Sequence, residues 1–177
     1  QPEFKTNQDP STPCNTFISS LYQKERLLFL LRYGLAYVEE RSKDGTIQLQ
    51  KHVMRYPQFF ATKAIEDAIG KGVKKGVIWH TQGSGKTALS YFNIRYLTNY
   101  FSKQKIVPQF YFVVDRLDLA DQATREFTKR GLKVKRINRP QELNEKHDDY
   151  QVAVVNIQKF KDNSDLTDHS GYDLNRQ

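Results

Sequence analysis

The chain carries a single cysteine, Cys14, in 177 residues, so no disulfide can close within it and a zinc site built from clustered cysteines is excluded. A reducing compartment is the simpler expectation. No apolar stretch approaches the roughly 20 residues that a membrane-spanning helix needs. The N-terminal residues, with Glu3, Asn7 and Asp9, lack the charged-then-apolar order of a secretion signal. These absences lead to the expectation of a soluble, cytoplasmic protein. No internal repeat recurs along the chain.

Acidic side chains are also in short supply, 20 against 28 lysines and arginines, which leaves a formal charge of +8. A basic balance of this size favours a polyanionic partner such as nucleic acid. The excess is uneven: Arg125, Lys129, Arg130, Lys133, Lys135, Arg136 and Arg139 share a stretch whose only acid is Glu126. A solvated helix face and loop would look the same. What the chain does have is large apolar rings, eleven Phe and ten Tyr, enough for a packed core in a chain of single-domain size.

Residues 1–14 are polar, proline-bearing and aperiodic, and read as a linker belonging to something longer. From Phe17 onward, Ile18, Leu21, Tyr22, Leu28, Leu31 and Leu35 approximate helical spacing. The nearly unbroken apolar run from Leu27 to Leu31 predicts one long helix buried on two sides. Alternation around Tyr37, Val38, Ile47 and Leu49, with Asp44-Gly45 between, predicts a hairpin. After Pro57, the series Ala61, Ala64, Ile65, Ala68, Ile69 predicts an amphipathic helix over 58–69, stopped near Gly70 and Gly72.

Farther on, Val77, Ile78 and Trp79 read as a short buried strand that runs into a glycine loop, and a helix is expected from Lys86 to about Phe101. Strands at 110–114, 134–137 and 152–155 and a helix at 117–129 complete an alternation that implies a parallel sheet covered by helices. The tail from Lys161 is polar and aperiodic.

The loop carries the chemistry. His80, Thr81, Gln82, Gly83, Ser84, Gly85, Lys86 and Thr87 stand between the expected strand and helix, the context of a phosphate-binding loop. Glycines let consecutive backbone N–H groups turn inward, and a helix N-terminus adds positive potential. Lys86 is positioned to reach the β- and γ-phosphates of ATP, and the Thr87 hydroxyl to ligate Mg²⁺. His80 stands where the full consensus has its first glycine. An ordinary glycine turn between strand and helix is the alternative.

A glycine-lysine-threonine loop whose first glycine is replaced resembles motif I of superfamily 2 helicases and translocases. Three further stretches are similar to the motor subunit of type I restriction enzymes: Arg55-Tyr56-Pro57-Gln58; Val113-Val114-Asp115-Arg116-Leu117-Asp118-Leu119 with Gln122; and Val155-Asn156-Ile157-Gln158-Lys159-Phe160. The helix bearing Glu25, Arg26, Leu27 and Leu28 resembles that family's connector between nuclease and motor.

The resemblance implies an α/β fold, an incomplete RecA-like P-loop domain (55–177) preceded by a helical connector and hairpin (15–54). It implies ATP and Mg²⁺ as cofactors, held by Thr81, Gly83, Ser84, Gly85, Lys86 and Thr87, with Gln58 reading adenine. It also implies DNA contacts by Arg116 and Lys159, with double-stranded DNA and the methylase and specificity subunits as partners. Asn156 departs from the family's usual threonine.

Hydrolysis in that family needs adjacent Asp and Glu after a later strand, and no aspartate here is followed by glutamate. The family's acid box is expected beyond Gln177, so this stretch is expected to bind nucleotide without hydrolysing it alone. Glu3-Phe4-Lys5 lacks the spaced acids of a nuclease site. Two other classes remain open: another P-loop enzyme such as a small-molecule kinase, and a non-hydrolysing nucleic-acid binding module whose working surface is the basic stretch.

Overall fold

The computed structural model describes residues 19–20, 22–143 and 149–158. They fall into two compact bodies, one running to Pro108 and including Lys129–Gly131, the other formed by Gln109–Thr128 and the chain from Leu132.

The first body begins with α1 (Lys24–Tyr33), followed by the antiparallel strands β1 (Leu35–Arg41) and β2 (Ile47–Val53). The expected single long helix is interrupted: Gln23 is extended at φ −53°, ψ 129°, so α1 starts afresh after it. Its buried side is also not the leucine side. Leu28 and Leu31 are more than half exposed, while Arg26 is buried with its guanidinium over the rings of Phe59 and Phe60. Phe29 and Tyr33 lie on that same face and meet the Tyr96 ring, tilted and edge-on respectively, with centroids 4.9 and 5.0 Å away. Rings and an arginine stem outcompete leucine here because they bury area and add quadrupole contacts together.

The hairpin turns where Asp44-Gly45 predicts. Gly45 sits at φ +85°, and Asp44 Oδ1 accepts hydrogen bonds from Thr46 N at 3.1 Å and Thr46 Oγ1 at 2.7 Å. Met54 N then donates to Gly34 O at 2.7 Å, closing the base of the hairpin.

Helix α2 (Tyr56–Gly70) contains the expected 58–69 segment and ends in a double hydrogen bond, Gly72 N to Ile69 O and Val73 N to Ala68 O, with Gly72 left-handed. Its buried residues are Gln58, Phe59 and Thr62, not the alanine and isoleucine series. Ala61, Ala64, Ile65, Ala68 and Ile69 instead line an open groove of about 770 Å³.

Val77, Ile78 and Trp79 form no strand among the described residues; Val77 is 90% exposed and Trp79 92%. Apolar residues become a strand only where a neighbouring backbone supplies a ladder, and residues 73–80 pair with none among the described residues. Helix α3 (Lys86–Ser102) follows and buries Leu89, Tyr91, Phe92, Ile94, Tyr96 and Leu97.

The second body holds β3 (Phe110–Val114), α4 (Leu117–Lys129), β4 (Val134–Ile137), a 3-10 turn (Pro140–Leu143) and β5 (Val152–Asn156). The three strands are parallel in the order β3-β5-β4. All five residues of β5 are buried, as a central strand covered on both faces requires. Phe127 of α4 meets Phe112 of β3 edge-on at 5.2 Å, which fixes the helix to the sheet. No described helix is long and apolar enough to cross a membrane.

Candidate nucleotide-binding site

Two glycines set the shape of the loop. Gly83 at φ +75° and Gly85 at φ +82° occupy the left-handed region, which side-chain-bearing residues enter only at a cost. Gly85 is the N-cap of α3, and the first intrahelical bond is Leu89 N to Gly85 O at 2.9 Å. The N–H groups of Lys86, Thr87 and Ala88 precede that bond and have no acceptor inside the helix. They stand at the positive end of a 17-residue helix that no side chain caps.

Lys86 folds back over the loop and donates from Nζ to Thr81 O at 3.1 Å, and Ser84 N closes on the same carbonyl at 3.3 Å. The loop is therefore curled, with the ammonium held above it. Ser84 Oγ and His80 Nδ1 are buried without a hydrogen-bond partner. An orphaned hydroxyl inside an anion-facing loop suits a phosphate oxygen as acceptor. Thr87 is half-buried on the first turn of α3.

Beside the loop lies a cleft of about 420 Å³ lined by Lys51, His52 and Val53 at the end of β2, Arg55 and Gln58 of the α2 start, Gly83, Gly85, Ala88, Phe92 and Arg130. Lys51 and His52 were invisible to motif reading. The one available signal was their position, the hairpin's last residues leading into Arg55-Tyr56-Pro57-Gln58. Gln58 is 3% exposed, and both polar ends of its amide meet backbone: Oε1 accepts from Arg55 N at 2.9 Å and Nε2 donates to Gly85 O at 3.0 Å.

The structure thus brings Gln58, Thr81, Gly83, Ser84, Gly85, Lys86 and Thr87 into one neighbourhood. Arg116 stands in the other body, exposed at the start of α4, where its carbonyl accepts Ala120 N at 3.2 Å; it forms no ion pair with Asp115 or Asp118. Asn156 Oδ1 accepts from Gln158 N at 2.8 Å, so the asparagine does make a local backbone contact. Lys159, like Cys14 and the Glu3-Phe4-Lys5 stretch, lies outside the described residues. Among the described residues no group of three or more His, Cys, Asp or Glu side chains is arranged to hold a metal.

A parallel sheet with helical cover, together with a left-handed glycine loop feeding the N-terminus of a long helix, defines a P-loop nucleotide-binding α/β protein. Residues 57–176 match the SWI2/SNF2 ATPase family, which is more than half of the chain, and the chain belongs to that family. It is 43% identical over 104 residues to a putative type I restriction enzyme endonuclease subunit, MjaVIIP, of Methanocaldococcus jannaschii, covering 55% of this chain and 9% of that protein. A second subunit of that kind from the same organism, MjaIXP, is 26% identical over 169 residues, 89% of this chain and 15% of the relative. The type I restriction enzyme SauCOLORF180P endonuclease subunit of Staphylococcus aureus strain COL is 34% identical over 112 residues, 60% and 11% respectively. The chain spans a small part, 9 to 15%, of the length of these relatives.

Proposed function

We propose that this chain is the ATP-binding part of the motor of a type I restriction endonuclease subunit, a protein that uses ATP to move along double-stranded DNA. The curled loop from Thr81 to Thr87 at the start of α3 carries the reading. The N–H groups of Lys86 and Thr87 face outward from a helix terminus, which is the arrangement that binds phosphate. Lys86 is spent on a neutral carbonyl, Thr81 O, and a triphosphate offers it a far stronger, charge-assisted acceptor.

The residues present fit Mg²⁺-ATP. The Thr87 hydroxyl is a hard oxygen donor on the first helical turn, and magnesium in such a loop takes most of its other ligands from phosphate and water. Bound Mg²⁺-ATP supplies the phosphoryl group whose cleavage drives such motors. This chain's own residues bind and orient the tail: loop amides cradle it, Lys86 offsets its charge, and Ser84 Oγ gains the partner it lacks.

In the same reading, Arg116 and Lys159 contact DNA phosphates, residues 15–54 connect to a nuclease region, and methylase and specificity subunits complete the complex. The names of the restriction-enzyme relatives and the family membership support it, as does the charge of +8. Calorimetric titration of the full chain with Mg²⁺-ATP tests it. Lys86→Ala is expected to weaken binding roughly 10- to 100-fold, the worth of a lost charged hydrogen bond; unchanged affinity removes Lys86 from the pocket. In the whole parent enzyme, duplex DNA is expected to stimulate ATP turnover, and indifference to DNA would favour a kinase-like enzyme.

A further inference from the structure

Gln58 occupies a position whose expected task is to read a base, yet its side chain is turned inward. It is almost fully buried, and each end of the amide is matched to a backbone group of opposite character, Arg55 N at 2.9 Å and Gly85 O at 3.0 Å. The fit against Gly85 is close: a Cβ on that residue would lie 2.7 Å from Gln58 Nε2.

The bond to Gly85 O has a consequence for the loop. A trans peptide directs its C=O and the following N–H to opposite sides. Fixing the Gly85 carbonyl towards Gln58 and Leu89 N therefore aims the Lys86 N–H away from them, out of the helix terminus. The α2 end of this strut is itself braced. Thr62, fully buried, places Oγ1 3.0 Å from Gln58 O and 2.7 Å from Asn93 Oδ1 on α3. Arg55, Gln58, Thr62 and Asn93 thus link the start of α2 to the helix that carries the loop.

We infer that Gln58 is a positioning residue for the phosphate loop: it presets the Gly85–Lys86 peptide so that the Lys86 N–H faces the phosphates, and it acts on any triphosphate regardless of base. The inference rests on the nucleotide-binding reading above. It separates from base reading because a strut governs the tail and a base reader governs the ring.

The experiment titrates the full chain, wild type and variant, with three probes in the presence of Mg²⁺: ATP, GTP and inorganic tripolyphosphate, which has no base. Gln58→Ala is expected to weaken all three by a common factor of about ten, the upper worth of one hydrogen bond lost from the loop. Gln58→Glu guards against a variant that fails to fold and adds a pH signature. A protonated carboxyl can still donate to Gly85 O and accept from Arg55 N, whereas a carboxylate sets oxygen against oxygen. Binding by Gln58→Glu, measured against wild type at each pH, is therefore expected to recover for all three probes as pH falls. Loss confined to ATP, with GTP and tripolyphosphate unaffected, overturns the strut and leaves the nucleotide site standing. Unchanged binding of all three overturns it as well. Failure of the wild-type chain to bind any triphosphate overturns the site and the strut together.

Discussion

Arg95, in the middle of α3, reaches back to the end of α1 and donates from Nη1 to the carbonyl of Leu35 at 2.6 Å, with Nη2 3.4 Å from Arg32 O. A guanidinium there bonds the first carbonyl of β1, lies beside Arg32 O, which the last turn of α1 leaves without an intrahelical partner, and opposes the negative end of that helix. Four residues on, Asn99 Oδ1 accepts from Tyr33 OH at 2.6 Å. The helix that follows the glycine loop is thereby anchored to the end of α1 and the start of β1. Arg95→Ala is expected to destabilise the chain by about 1.5–3 kcal/mol, the range for hydrogen bonds to a charged group. Urea denaturation read by circular dichroism checks it, and a midpoint equal to wild type would show that the anchor carries no stability.

The elements legible in the sequence were those decided locally. Residues 110–114 are an aromatic and β-branched run, 134–137 sets β-branched Val134 and Ile137 around two basic residues, 117–129 is helical by period, and all three form over the expected spans. The loop was legible because glycine, lysine and threonine at fixed offsets encode a backbone shape. What sequence could not show was which side of a helix wins the interior. On α1, counting leucines selects the wrong face because Arg26, Phe29 and Tyr33 bury more through rings on distant elements. On α2, Gln58 and Thr62 are buried in place of the alanines because their polar atoms have specific partners 27 and 31 residues away. Period alone carries no such long-range information.

Phe127 is fully buried against Phe112, on a helix whose other inward residues are Ala120 and Ala123. With alanines on both earlier turns, no neighbour on α4 can fill the space that a truncation leaves. Phe127→Ala is expected to cost about 3–5 kcal/mol. A loss below about 1 kcal/mol in chemical denaturation would mean that α4 does not depend on this contact.

Tyr96 is held above its ordinary ionisation range, first by burial and then by its hydrogen bond to Glu66 and that residue's negative charge. The folded chain therefore keeps a proton that the unfolded chain releases near pH 10. Below that pH both states hold the proton and the stabilisation is complete. As pH rises past about 10, the unfolded state alone ionises, so stability falls. Tyr96→Phe is expected to flatten the alkaline limb of a stability profile taken from pH 8 upward. An equally steep limb in the variant would assign the loss to other groups.

Trp79 is the chain's only tryptophan and stands two residues before Thr81, so its fluorescence reports on the segment entering the phosphate loop. At 92% exposure, its emission maximum is expected to match free tryptophan in water, and acrylamide is expected to quench it at close to the rate for the free amino acid. The sequence, by contrast, gives Val77-Ile78-Trp79 the composition of a buried strand. The two descriptions differ because β structure is a property of pairs: apolar side chains favour a covered position, but only a neighbouring strand satisfies the backbone. A blue-shifted, poorly quenched emission from the isolated chain would show that 77–79 is covered after all. If instead the emission is water-like, a blue shift on adding the rest of the parent protein would show that the covering partner lies outside this chain.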